Sequence, residues 1–155
     1  EIDSNPFYIV IPTNLGYTKN KENVMGAGLA LQLKNRNNFI ASWYGKVCYK
    51  RALNKDDRNI TILDQEKIIF FATKPLIQET PHLSWKQNSS LKTIEKSCKE
   101  LVFYLQNRLK DKMILLPLVG CGNGKLDSKI VKPILQEYFK DFDNVFLVEG
   151  NNERY

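Results

Sequence analysis

Phe7-Tyr8-Ile9-Val10-Ile11 is an unbroken run of apolar, β-branched and aromatic residues ending at Pro12. No charged residue interrupts it to mark a solvent face. A strand of that composition is buried on both faces, which requires a parallel or mixed sheet covered by helices on each side. Residues 67–73 and 113–116 repeat the pattern, and 144–148 offers a shorter last strand. Residues 47–52 and 60–63 are further strand candidates, joined through the polar stretch 54–59 in a hairpin-like region.

Between these runs the apolar period changes to three and four residues. Leu29 and Leu33 predict a helix over residues 29–36, and Ile40, Trp43 and Tyr44 extend its apolar surface as far as Gly45. Ser89 or Ser90 can cap a long helix whose core stripe is Leu91, Ile94, Cys98, Leu101, Val102, Leu105 and Leu109. Asp127 or Ser128 can cap another, carrying Ile130, Val131, Ile134, Leu135, Tyr138 and Phe139. Proline is tolerated only near a first turn, so Pro133 predicts a late start or a kink there. Strand and helix alternate, the pattern of one α/β domain with three α/β/α layers and a mixed, largely parallel central sheet.

The bulk numbers narrow the classes. A chain of 155 residues with 43% hydrophobic and 26% charged residues is globular rather than disordered. Its apolar runs are far shorter than the roughly 20 residues of a membrane helix, so no membrane contact by this segment is expected. Net charge is +6, which attracts nucleotides and other polyanions, although most of the lysines are dispersed along amphipathic segments and read as a solvated face. Cys48, Cys98 and Cys121 are odd in number and share no CxxC spacing, in strand-like, helix-like and loop-like contexts. That suggests neither a disulfide framework nor a zinc site, and a reducing, cytoplasmic compartment is expected. The chain starts at Glu1 without Met, so it is expected to be a processed piece or an excised domain.

In a sheet of this kind ligands bind beyond the carboxyl ends of the strands. Asn14, Thr73 and Lys74 fall at such ends, and Pro75 keeps the last of them extended. Two glycine loops fall there too. Val119-Gly120-Cys121-Gly122-Asn123-Gly124 places three glycines within five residues, removing Cβ atoms so that backbone N–H groups can converge on an anion such as a diphosphate. Gly26-Ala27-Gly28-Leu29 opens a helix, whose free N–H groups and dipole also favour phosphate. Residues 15–23 form a polar loop between the first strand and this one. Residues 76–88 form another, holding His82 and Trp85, which can border the site, with His82 read as an exposed loop residue and not a catalyst. Cys121 is read as a packing residue or backbone donor, not a nucleophile.

These residues resemble the macro domain family. Met25-Gly26-Ala27-Gly28-Leu29-Ala30 is similar to that family's first glycine loop, and Gly120-Cys121-Gly122-Asn123-Gly124-Lys125-Leu126-Asp127 to its second. Phe71-Ala72-Thr73-Lys74, followed by Ser84-Trp85-Lys86, is similar to the branch of antitoxin DNA ADP-ribosyl glycohydrolases. The resemblance covers about residues 8–148 and implies a cleft for ADP-ribose, clamped at the diphosphate by the two loops. It implies that Lys74 lies beside the anomeric carbon of the distal ribose, as nucleophile or orienting group, and that Asn14 contacts the same ribose. No cofactor or metal is implied.

Departures from the family pattern accompany the match. A Gly-Asp pair that usually binds adenine would precede this chain, and Asp3 is a poor substitute. Lys125 stands where the pattern has glycine, and Ser128 where it commonly has tryptophan. The expected activity is therefore an ADP-ribosyl hydrolase acting on modified nucleic acid or protein. The alternative is a non-catalytic reader of ADP-ribose, or of a nucleotide derived from it, within a larger defence or signalling protein. A remote third reading is a phosphatase acting on ADP-ribose phosphate.

Overall fold

Phe7–Asn14 forms β1, the central strand of a five-stranded sheet, in a computed structural model that describes residues 7–149. On one side β1 pairs in parallel with β3 (Ile68–Lys74), beyond which lies the antiparallel edge strand β2 (Ile60–Leu63). On the other side lie β4 (Met113–Pro117) and β5 (Val145–Val148), both parallel to it. Four parallel strands and one antiparallel edge match the mixed, largely parallel sheet expected from the apolar runs. Asp3 lies outside the described residues.

Alternation along β3 shows why these strands read as unbroken apolar runs. Ile68 and Phe70 point to one face, where α1 (Gly28–Arg36) and α2 (Ile40–Leu53) cover them. Tyr44 of α2 stacks on Phe70 with ring centroids 4.3 Å apart and planes at 11°. Ile69 and Phe71 point the other way, into a core closed by α3 (Leu91–Leu105) and α4 (Ser128–Phe139). Both faces are dry, so neither set of positions can be polar.

Two local expectations are overturned. Residues 47–52 are not a strand but the second half of α2, and Cys48 with them sits in a helix. Ile40, Ala41, Tyr44 and Cys48 share the buried side of that helix, and packing against Phe70 overrides the β-like composition of the segment. The last helix does not start late either. Asp127 caps it by accepting from the Lys129 N–H at 2.9 Å, and it runs unbroken past Pro133. Burial of Val131, Leu135 and Phe139 offsets the one backbone bond that the proline cannot make.

The topology opens a cleft at one edge of the sheet. The ladder between β1 and β3 continues to Asn14 opposite Lys74, whereas that between β1 and β4 ends at Ile9 opposite Leu115. Pro12 is tolerated in a central strand for the same reason. The Ile9 N–H bonds toward β3, so by alternation the missing N–H of Pro12 faces β4, past the end of that ladder. The crossovers leaving β1 and β3 run over opposite faces, α1 and α2 on one and α3 on the other, which makes the carboxyl end of β1 the topological switch point.

The loop at 15–23 is a packed strap. The Asn23 N–H donates to the Ala41 carbonyl at 2.9 Å, and Lys21 lies over the Tyr49 ring. Gly45 permits this contact, because a Cβ there would stand 2.3 Å from the Lys21 carbonyl oxygen.

Candidate active site

The carboxyl ends of β1, β3 and β4 and the two glycine loops enclose a cleft of about 350 Å3. Asn14 and Lys74 reach it from adjacent strands, as neighbours in the β1–β3 register, and the Leu15 N–H donates to the Lys74 carbonyl at 3.2 Å. Lys74 is half-buried, and its ammonium donates to the Trp85 carbonyl oxygen at 2.8 Å. Burial pushes the pKa of its amine down. Among the described residues lining the cleft, Lys74 is the only titratable side chain. Any proton that a titratable side chain supplies here is therefore its own.

Asn14 lines the cleft but is largely spent on structure. Its carbonyl oxygen accepts from the Gly16 N–H at 2.8 Å and from Asn23 Nδ2 at 3.1 Å, and its amide donates to the Val24 carbonyl at 3.0 Å. One N–H remains to meet a ligand. Asn14 thus anchors both the strap and the first glycine loop. Thr73 is likewise tied in. It donates to the Thr13 carbonyl at 3.3 Å and accepts from Ser89 Oγ at 3.1 Å.

The first loop meets the expectation of an open backbone. Gly26, Ala27, Gly28 and Leu29 line the cleft, and a Cβ on Gly26 would touch nothing within 4 Å. Gly28 has φ +59°, a conformation that glycine adopts at little cost as α1 begins. Ala27 at the N-cap offers no side-chain acceptor, and α1 has no acidic residue in its first turn. Its leading N–H groups are left to solvent or to an anion.

Glycines in the second loop divide into two kinds. Gly120, with φ +79°, and Gly124 are demanded by packing, since a Cβ on Gly120 would lie 2.8 Å from the Ile94 methyl and one on Gly124 2.1 Å from Ser89 Oγ. Gly122 has open space around it and presents bare backbone, with Asn123 beside it in the cleft wall. Val119 and Cys121 do not line the cleft. Val119 is fully buried beneath the loop. Cys121 turns its thiol to the Val119 carbonyl at 3.6 Å, and burial with the nearby Asp127 carboxylate raises its pKa, which disfavours the thiolate.

Ser89 was visible in the sequence only as an alternative helix cap, and Ser90 takes that role by accepting from the Thr93 N–H. Ser89 instead joins β3 to the second loop, its N–H donating to the Gly124 carbonyl at 2.9 Å. No spacing rule announces such a contact. Trp85 borders the cleft, and His82 is exposed and away from it, as read from the sequence. No group of three or more His, Cys, Asp or Glu side chains is placed to hold a metal among the described residues. Among them, too, no helix is long and apolar enough to cross a membrane.

The chain matches no protein-family model. It does superpose on the macrodomain of Thermus aquaticus DarG with TM-score 0.71 and 26% identity, over 97% of this chain and 93% of that one. The macrodomain of Mycobacterium tuberculosis DarG gives TM-score 0.70 and 25% identity, over 93% and 87%. The chain is a macro domain. Thermosipho africanus DarTG in complex with ADP-ribose shares the fold at TM-score 0.73 and 21% identity, over 99% of this chain and 40% of that one. In sequence, a Thermus aquaticus DNA ADP-ribosyl glycohydrolase is 32% identical over 136 residues, 83% of this chain. The macro domain spans 34% of that relative's length.

Within this macro domain Lys125 holds φ +65°, the left-handed conformation that glycine takes without penalty. It is exposed, and Lys125→Gly is expected to raise stability by about 0.5–1 kcal/mol, since relieved strain exceeds the added chain entropy. Thermal melts of the two proteins check this, and a lower Tm for the glycine variant would show that Lys125 is not strained.

Proposed function

We propose that this macro domain binds ADP-ribose at the end of a modified target and hydrolyses the N-glycosidic linkage between them. One observation carries the hydrolytic part: Lys74 is the sole titratable side chain lining the cleft among the described residues, and burial lowers its pKa. A larger neutral fraction gives the amine a free lone pair. That amine adds to the anomeric carbon as the bond to the target nitrogen breaks, and the proton it loses goes to the departing nitrogen. Water then displaces the lysine, which recovers its proton, and ADP-ribose leaves.

The two loops act as the diphosphate clamp, Gly26 to Gly28 with the start of α1 on one side and Gly122 with Asn123 on the other. The name of the DNA ADP-ribosyl glycohydrolase relative and the ADP-ribose complex of the Thermosipho protein support this ligand. Three free cysteines suit a reducing, cytoplasmic setting. One observation favours the reader alternative. Asn14 spends both carbonyl lone pairs and one of its two amide hydrogens on the strap and first loop, which leaves the ribose little from it.

Titration calorimetry with ADP-ribose tests the shared premise, and a Kd well below about 1 mM is expected. Absence of binding in that range sinks both readings. Release of free ADP-ribose from an ADP-ribosylated oligonucleotide then separates them: turnover supports the hydrolase, and tight binding without turnover supports the reader.

A further inference from the structure

The loop after β3 returns to the strand end it leaves. The short 3-10 turn Pro81–Lys86 brings the chain back, and Trp85 on it places its backbone carbonyl 2.8 Å from the Lys74 ammonium. Gln87, just past the turn, ties the return together. Its side-chain amide donates to the Pro75 carbonyl at 2.7 Å and to the Ser84 carbonyl at 2.9 Å. Pro75 follows Lys74 and Ser84 precedes Trp85, so these bonds close a ring from Lys74 through Pro75, Gln87, Ser84 and Trp85 back to Lys74 Nζ. The amide fits one way round only, because turning it over would set its oxygen against two carbonyl oxygens.

The turn itself is backed on two sides. Ser84 is fully buried, and its hydroxyl oxygen accepts from the Ile77 N–H at 3.0 Å. The strap at residues 15–23 presses against it, since a Cβ on Gly16 would stand 2.2 Å from the Pro81 carbonyl oxygen and 2.6 Å from Ser84 Cβ. Lys74 has no such backing. Its stem is flexible and its charged head strongly hydrated, and the Trp85 carbonyl is the one hydrogen-bond partner of that head among the described residues.

We infer that Gln87 is a positioning residue, which through the Trp85 carbonyl holds the Lys74 amine half-buried and turns its lone pair to the cleft. The inference rests on the hydrolytic reading for its use. An ammonium and a neutral amine both have an N–H to give the carbonyl, so the bond survives loss of the proton and then fixes the direction of the lone pair. Burial alone lowers the pKa of Lys74 among the described residues. The cleft walls add no second titratable side chain, and on the turn Lys86 is drawn over the Trp85 ring and His82 is exposed. A lysine released from the ring turns its head to water, and its pKa returns toward the ordinary value.

Single-turnover release of ADP-ribose from an ADP-ribosylated oligonucleotide, followed against pH, tests this. Gln87→Met keeps the side chain's length and removes both donors. It is expected to lower the plateau rate by about 10- to 100-fold, to move the rising limb up toward that of an ordinary lysine, and to leave the ADP-ribose Kd within about threefold. Gln87→Arg keeps N–H donors for both carbonyls and should stay within about fivefold of the wild-type plateau. An unchanged rate in Gln87→Met would overturn the inference, as would a lower rate on an unmoved limb, which marks a tie that serves stability only. A folded Gln87→Arg more than about tenfold slower than wild type overturns it too, and this variant decides where Gln87→Met does not fold. The Lys74 amine can also be titrated without turnover, by NMR of its labelled ε-carbon, and its pKa should rise in Gln87→Met. A wild type that binds ADP-ribose but releases none fails the hydrolytic reading alone, whereas an unmoved Lys74 titration in Gln87→Met fails the positioning.

Discussion

Lys74→Ala is expected to lower release of ADP-ribose from a modified target by about 10²- to 10⁴-fold while changing ADP-ribose affinity by less than about tenfold. The split follows from the cleft. On the proposed function, affinity is expected mainly from backbone N–H groups on the glycine loops, which the substitution leaves alone, and reactivity from the only titratable side chain lining the cleft among the described residues. Single-turnover release and calorimetry on the same variant measure the two halves separately, and activity that survives Lys74→Ala removes the lysine from the reaction.

The pH profile is a further readout of the same prediction. Burial lowers the pKa of Lys74, so the rate should rise with pH along a limb displaced below that of an ordinary lysine. Stability moves in the same sense. Between the lowered folded pKa and the unfolded one the native state binds fewer protons than the unfolded chain, and stability rises with pH across that window. Lys74→Met should abolish both trends.

Gly124→Ala is expected to destabilise the domain by about 3 kcal/mol, a fall in Tm of roughly 6–12 °C for a chain of this size. The added Cβ would stand 2.1 Å from Ser89 Oγ and 2.6 Å from the Gly120 carbonyl oxygen. Neither can retreat freely, because the Ser89 N–H is bonded to the Gly124 carbonyl and the Gly120 carbonyl accepts from the Leu126 N–H. Gly122→Ala is the contrast. Nothing lies within 4 Å of its Cβ, so stability should stay within about 0.5 kcal/mol of wild type and any loss should fall on ligand affinity. Thermal melts distinguish the pair, and equal Tm values for the two variants would refute the division of the loop into packed and open glycines.

Much of the fold was legible because both sides of the sheet are buried. Continuous runs at residues 7–11, 68–72 and 113–116 have no other use in a chain with 26% charged residues, and each forms a strand. Long stripes with caps were equally clear, since Ser90 and Asp127 each bond an N–H of the first helical turn. Composition failed where packing decided. Val47, Cys48 and Tyr49 look like a strand, but a helix is what lets Tyr44 and Cys48 cover Phe70 and its neighbours.

The sequence by itself determined which backbone comes together at the cleft. Strand ends carry Asn14 and Lys74, two loops carry the glycines, and a parallel sheet puts all of them at one edge. Tertiary structure alone decided what each residue is free to do there. It spends most of Asn14 on the strap at residues 15–23, buries Val119, turns Cys121 away, and makes Ser89 the tie between β3 and the second loop. It also closed Lys74, Trp85 and Gln87 into one hydrogen-bonded ring. Such assignments rest on hydrogen bonds and contacts between segments distant along the chain, and local spacing holds no record of them.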